Sequence, residues 1–315
     1  MDKNKQQTIL VTGVGGPAGV NTVRLLSAYP QHRIIGCDID ALAAGQSYVE
    51  TFVISPRVSD PLYLTWLQDL IECEGVTLVV PTVHEELIVL RDFTAPETCT
   101  VVLSGPESLV VGDNKQAFYT WVEKNYSEHA IIWTPISAWT PDWLEDAVQF
   151  IKPTQGRGAR GCRTITKDEL IREQSYLSED TLVMKYMPGT EWTVDVYVSR
   201  EGTVIYAVPR ERIGLAGGIS IKGRTVRHAE IEALASQVAL ALGCRGPVCI
   251  QLRADANGTP RLIEINPRLS GGLPITVAAG ANPIDLILRE VAGETLRPIS
   301  WNEVTVVGHF EYKQL

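Results

Sequence analysis

Glu264 and Asn266 stand two residues apart in Leu262-Ile263-Glu264-Ile265-Asn266-Pro267-Arg268. In an extended chain that spacing puts the carboxylate and the amide on one face and turns Ile263 and Ile265 to the other. A carboxylate beside an amide oxygen suits magnesium, a hard cation that takes oxygen ligands and keeps several waters. The run CIQLRADANGTPRLIEINPR (249–268) reads as two strands joined at Asn257-Gly258, a hairpin turn. Gln251 on its first strand can add a third oxygen across the ladder. An amphipathic hairpin with a polar outer face accounts for the same alternation, but not for the Asn-Pro-Arg that closes it.

A second group of residues suits phosphate. Lys152 ends the strand-like Phe150-Ile151-Lys152-Pro153 and leads into Thr154-Gln155-Gly156-Arg157-Gly158-Ala159-Arg160-Gly161. Gly156, Gly158 and Gly161 let such a loop turn its amides inward over an anion, and Arg157 and Arg160 add positive charge. The competing reading is a surface loop with two solvated arginines. Lys115 opens a helical pattern in Gly112-Asp113-Asn114-Lys115 and, taken alone, reads as an exposed lysine.

A third motif points elsewhere. Gly13-Val14-Gly15-Gly16-Pro17-Ala18 fits G-x-G-x-x-G/A between a strand and a helix, and Asp38 follows about 20 residues on, where a ribose-binding acid would stand. A nicotinamide-dependent oxidoreductase is therefore open, as is the plainer reading that a tight strand-to-helix turn wants glycine.

The elements that must carry these groups follow from periodicity. The β-branched runs at 8–13, 33–38, 51–55, 77–81 and 100–105 alternate with helical patterns at 20–29 and 61–72. Continuous apolar runs of this kind suit a parallel sheet covered on both faces, in an open, doubly wound arrangement. From Gly112 the texture changes. A helix is expected over 113–124, then a strand at FIKP and a helix from Lys167. Alternating strands follow, turning at Glu201-Gly202, then a strongly periodic helix at 229–243 and the closing hairpin.

Taken in order, these segments resemble the ATP-grasp superfamily, nearest to its carbamoyl-phosphate-synthetase-like carboxylate–amine ligases. That pattern has a Rossmann-like first domain, a lysine-bearing helix, a lysine strand with a Gly-rich loop, a hinge for adenine and a metal-binding E-x-N-P-R. Lys115, Lys152 with the 156–161 loop, the 184–191 segment and the 264–268 segment fall in that order, and the loop is also similar to that of biotin carboxylase. The resemblance covers nearly the whole chain. It implies an α/β fold with a Rossmann-like domain at 1–110, a small ATP-grasp lobe at 111–185 and a large lobe at 186–315.

It also implies roles. Lys115 and Lys152 would hold the α- and β-phosphates of ATP, with Gly156, Arg157, Gly158 and Gly161 in the loop over the γ-phosphate. The backbone of Lys185 to Met187 would meet the adenine edge and Glu191 the ribose. Met184 departs from the pattern, in which a Glu often assists the adenine amine. Gln251, Glu264 and Asn266 would bind Mg2+, and Arg268 would steady the acyl phosphate. Arg210 and Arg212 are candidates for gripping the substrate carboxylate, with strand-end surface charge as their competing reading. The first domain's loop tips, including 15–19 and His84-Glu85-Glu86, would wall the acceptor pocket. The implied reaction makes an acyl phosphate and ADP, after which an amine displaces phosphate; a non-catalytic ATP-binding protein is the third alternative.

Composition narrows the partners. A formal net charge of −9 argues against a nucleic-acid or anionic-membrane surface. The six scattered cysteines read as free thiols of a reducing compartment, and no secretory h-region or bilayer-length apolar run is seen. The expectation is a cytoplasmic enzyme of small-molecule carboxylate and amine substrates, by default a homodimer. With the ATP-grasp core expected to end near 308–315, the extra C-terminal domain of some relatives is not expected, which would put full carboxylase chemistry in doubt.

Overall fold

The computed structural model describes residues 6–156, 161–216 and 219–308. Its first unit is a five-stranded parallel sheet of β1 (Thr8–Thr12), β2 (Arg33–Asp38), β3 (Thr51–Ile54), β4 (Leu78–Val80) and β5 (Thr100–Val101), in the order β3-β2-β1-β4-β5. Both faces are covered. Ile9 and Val11 pack towards Val23 and Leu26 of α1 (Pro17–Leu26), while Leu10 packs with Leu67 and Ile71 of α2 (Tyr63–Glu74). A strand buried on two sides has no polar face, which is why these runs are apolar throughout. The chain order reverses between β1 and β4, so their carboxyl ends open a crevice. Into it project the Gly13 to Gly16 turn and the start of α3 (His84–Leu90).

Helices α4 (Pro106–Asp113) and α5 (Lys115–Asn125) leave this unit, and Asn114 caps α5 by accepting from the Ala117 amide. An antiparallel sheet follows, β6 (Trp133–Pro135), β7 (Val148–Pro153), β8 (Arg163–Thr166) and β9 (Thr181–Lys185), ordered β6-β9-β7-β8. Ile151 and Val183 face α6 (Lys167–Glu173), whose start is fixed by a capping box between Thr166 and Glu169. Phe150, Leu182 and Met184 face α5.

The third sheet is antiparallel: β10 (Glu191–Val198), β11 (Val204–Ala216), β12 (Ile219–Thr225), β13 (Gly246–Ala254), β14 (Pro260–Asn266) and β15 (Thr305–Val307), ordered β14-β13-β10-β11-β12-β15. Along β10 the side chains divide by parity. Trp192, Val194, Val196 and Val198 pack with Ile231, Leu234 and Val238 of α7 (Ala229–Ala241) and with Phe118 and Tyr119 of α5. Tyr197 joins the core on the opposite face, with α8 (Leu273–Ala278), α9 (Pro283–Val291) and α1. Helix α5 is thus wedged between the two antiparallel sheets and shares one core with both. The expected turns at Glu201-Gly202 and Asn257-Gly258 close β10–β11 and β13–β14, with Gly202 and Gly258 at φ 87 and 84°.

Candidate functional site

The two antiparallel sheets meet where Lys152 crosses from one to the other. Lys152 is 5% exposed, and its ammonium donates to the carbonyl of Ile263 at 3.1 Å. The Tyr119 ring lies 5.1 Å from that nitrogen, and the Tyr119 hydroxyl donates to the same carbonyl at 3.0 Å. Burial pulls the Lys152 pKa down to about 8, against the opposing pull of Glu264. Lys115, one helical turn before Tyr119, donates from its ammonium to the Gly156 carbonyl at 3.1 Å, and its amide donates to Thr154. Lys115 is also buried, not the exposed lysine its surroundings in the sequence suggest. The glycine-rich loop therefore begins on a base tied to α5. Gly156 and Gly161, at φ 132 and 72°, take backbone conformations that side-chain-bearing residues resist. Arg157, Gly158 and Arg160 lie outside the described residues.

Glu264 faces these lysines from β14. Its ladder partner is Gln251, and Asn266 donates its side-chain amide to the Glu264 carboxylate at 3.1 Å. Burial pushes the Glu264 pKa up, but Lys115, Lys152 and the Asn266 bond outweigh burial and hold the group below its usual value. Arg268 donates to the Leu269 carbonyl at 2.8 Å and to the Asn266 side-chain oxygen at 3.3 Å. Gln251 accepts from Arg212 at 3.2 Å, and Arg212 also pairs with Glu191, which takes a second cation, Arg253, at 3.4 Å. Glu191, Arg212, Gln251 and Glu264 thus form one polar row across β10, β11, β13 and β14.

The 184–191 segment is partly committed. Met184 and Met187 bury their side chains in the core around Phe118 and Trp192, and the Lys185 amide donates to the Ile132 carbonyl. What Lys185 still offers is its carbonyl, while its ammonium reaches Asp146 at 3.5 Å.

Arg210 needs correction. It is neither a strand-end surface charge nor a fork open to a substrate: it is 1% exposed, and it donates to the two Asp195 oxygens at 2.8 and 3.2 Å. Burial would lower its pKa, but Asp195 more than offsets this and holds the guanidinium charged. The reading of individual residues also missed Tyr119 and Asp195. Tyr119 had a signal, since four residues after Lys115 is the same helix face. Asp195 had none, because it meets Arg210 only through the β10–β11 register.

At the crevice of the first unit, His84 lies near Arg268 and Glu264, and burial, then Arg268, lower its pKa. The Gly15 amide donates to Asp38 at 2.7 Å, and Gly45 in the 44–48 turn donates to the Val14 carbonyl. A carboxylate therefore occupies the amide that a dinucleotide pyrophosphate would need, and a turn covers the glycine loop.

Two comparisons bear on this arrangement. Residues 178–312 match a family model described as "ATP-grasp in the biosynthetic pathway with Ter operon". The biotin carboxylase domain of Hydrogenobacter thermophilus 2-oxoglutarate carboxylase, solved with MgADP, ADP and bicarbonate, superposes with a TM-score of 0.73 at 15% identity, over 95% of this chain and 73% of that one. The chain has the ATP-grasp fold. N5-carboxyaminoimidazole synthetase from Staphylococcus aureus, solved with ADP, gives 0.72 at 15% identity over 93% and 79% of the two chains. The corresponding ribonucleotide synthetase of Thermus thermophilus gives 0.70 at 18% over 94% and 81%. No curated protein matches the sequence.

Within the ATP-grasp frame the donor set of the closing hairpin fits a magnesium ion. Glu264 supplies a carboxylate held in its charged form, and Asn266 and Gln251 supply amide oxygens on the same patch. With one formal negative charge among the three, the site suits an ion that draws the rest of its ligands from phosphate and water.

Proposed function

We propose that this chain is an ADP-forming ligase that activates a carboxylate with ATP and joins it to an amine. The observation that carries the reading is the meeting of Lys115, Lys152 and Glu264 around the root of a glycine-rich loop, where two buried ammonium groups help hold the carboxylate below its usual pKa. Phosphoryl transfer needs little covalent help from protein; it needs positioning and neutralisation of charge on the transferring group.

Lys115 and Lys152 hold the α- and β-phosphates, and the backbone from Lys185 to Met187 meets adenine, Lys185 through its carbonyl. Glu191 accepts the ribose hydroxyls by exchanging part of its contact with Arg212. Gln251, Glu264 and Asn266 hold Mg2+, which when bound neutralises charge on the phosphate oxygens. A substrate carboxylate oxygen attacks the γ-phosphorus in line while the bond to the β-phosphate oxygen breaks, releasing ADP. Arg268 steadies the acyl phosphate with a planar, permanently charged fork. The amine nitrogen then attacks the carbonyl carbon, phosphate departs, and the nitrogen loses its proton. The acceptor is bounded by the first unit's loop tips at 15–19 and by His84 and Glu85; Glu86, expected there with them, is instead buried behind the tip against Thr12 and Tyr63. The enzyme is read as cytoplasmic and homodimeric; among the described residues no helix is long and apolar enough to cross a membrane.

The neighbours of similar fold include a carboxylase domain solved with MgADP and a synthetase solved with ADP, which supports ATP as substrate. The test is a screen of carboxylate and amine pairs for ADP release. ADP is expected only with both substrates, and turnover should be lost in Lys152→Ala and Glu264→Ala. Tight ATP binding with no turnover on any pair would favour a non-catalytic nucleotide-binding role.

A further inference from the structure

Arg210 is fully buried, and the catalytic scheme above does not use it. Its guanidinium sits under the turn that follows Arg268. Besides the fork to Asp195, it donates to the Ser270 hydroxyl at 3.1 Å. A Cβ on Gly272 would lie 2.4 Å from its Nη1, so only glycine lets the turn rest on the guanidinium. Asp195 accepts a further bond from Thr276, which fixes α8, where the turn ends. From above, Asn21 of α1 donates to the Gly271 carbonyl at 3.0 Å. The 269–272 turn is thus held from the sheet below and from the first unit above.

The hydrogen bonds continue to the reacting region. Ser270 follows Leu269, whose carbonyl accepts from Arg268, and Arg268 donates in turn to Asn266, which donates to Glu264. Two runs of hydrogen bonds, joined by the Leu269–Ser270 peptide bond, therefore link the Asp195–Arg210 pair to Arg268 and the hairpin's end. A buried ion pair is a weak source of net stability, since desolvation offsets much of its attraction. Its fixed geometry, with both forks committed, is better suited to locating what rests on it.

We infer that Arg210, through Ser270, is a positioning residue that sets the Arg268 guanidinium where the transferred phosphoryl group will lie. This rests on the ligase reading and on the role given there to Arg268. It predicts that the turn can be loosened without disturbing the nucleotide, because Lys115, Lys152 and the 184–191 segment have no bond to it among those described.

The test is calorimetric titration of inorganic phosphate into the MgADP-bound protein, with MgADP affinity and melting temperature measured alongside. Arg268→Ala should weaken phosphate by about 10-fold or more, the loss of a charge-assisted bond. Ser270→Ala and Arg210→Lys should weaken it by about 2–10-fold, the range of a net hydrogen bond's worth, with MgADP affinity unchanged. Ser270→Thr, which keeps the hydroxyl, should restore phosphate affinity. If Arg268→Ala leaves phosphate binding intact, the role of Arg268 in the ligase reading fails and the inference falls with it. If Arg268→Ala weakens phosphate but Ser270→Ala and Arg210→Lys do not, the inference alone is overturned. Equal loss of MgADP and phosphate in the Ser270 and Arg210 variants would reduce the pair to support of the sheet, and also overturns it.

Discussion

The ammonium of Lys152 on β7 donates to the backbone carbonyl of Ile263 on β14 at 3.1 Å, joining two sheets through residues 111 positions apart. The next residue along β14 is Glu264, and the next inward-facing aromatic is Tyr119, whose hydroxyl shares that carbonyl. The contact places a lysine whose pKa burial lowers to about 8 beside the carboxylate whose charge opposes that fall. A polyanion entering the cleft would strengthen the charged form of Lys152 and take over its ammonium from the carbonyl.

Glu86 provides a pH dependence away from this cleft. It is fully buried, accepts hydrogen bonds from Thr12 and Tyr63, and burial raises its pKa to about 7 despite those bonds. Below the unfolded carboxyl's pKa both states are protonated. As pH rises from there towards 7 the unfolded chain loses the proton first, so folding stability should fall, and above about 7 the penalty is constant. The cost is on the order of 3 kcal/mol. Denaturant melts between pH 4.5 and 8 should show the decline in the wild type and a flatter profile in Glu86→Gln; identical profiles would remove Glu86 as its source.

Gly19 is needed where α1 crosses the glycine turn. A Cβ there would lie 2.2 Å from the Gly13 carbonyl oxygen and 2.7 Å from its carbon, both backbone atoms with no rotamer to yield. Gly19→Ala is expected to cost about 1–3 kcal/mol, as overpacking does, and to lower the melting temperature measurably. An unchanged melt would mean that the α1 docking is looser than this geometry.

The nicotinamide reading makes an opposed prediction. With Asp38 on the Gly15 amide and the 44–48 turn over Val14, neither NAD nor NADP should raise the melting temperature at millimolar concentration. A saturable rise that disappears in Gly15→Val would reinstate dinucleotide binding in the first unit.

The parallel sheet was legible because local chemistry and global position agree. Ile9, Leu10 and Val11 are apolar in succession since each face of β1 is covered, and the flanking Gly13 and Pro17 mark where the strand stops and the helix starts. The Glu264–Asn266 face was legible from strand alternation, and the Asn257-Gly258 turn from its φ requirement. Arg210 was not. Whether an arginine near a strand end meets water or an aspartate depends on pairing between strands, and Thr193, not Asp195, is its direct ladder partner. The commitment of the Lys185 amide to Ile132 was hidden for the same reason, as it depends on β6 lying beside β9. The burial of Lys152 likewise comes from α5 wedging between sheets, which no segment records by itself.

The account is tested most directly by titrating ATP into the protein calorimetrically with and without magnesium, in wild type, Lys152→Ala and Glu264→Ala. Wild type should bind one ATP in a magnesium-dependent way. Lys152→Ala should weaken binding about 10–100-fold, the loss of a bond to a charged group, and Glu264→Ala should remove most of the magnesium dependence. Wild-type affinity in both variants, or ATP binding indifferent to magnesium in the wild type, would contradict it.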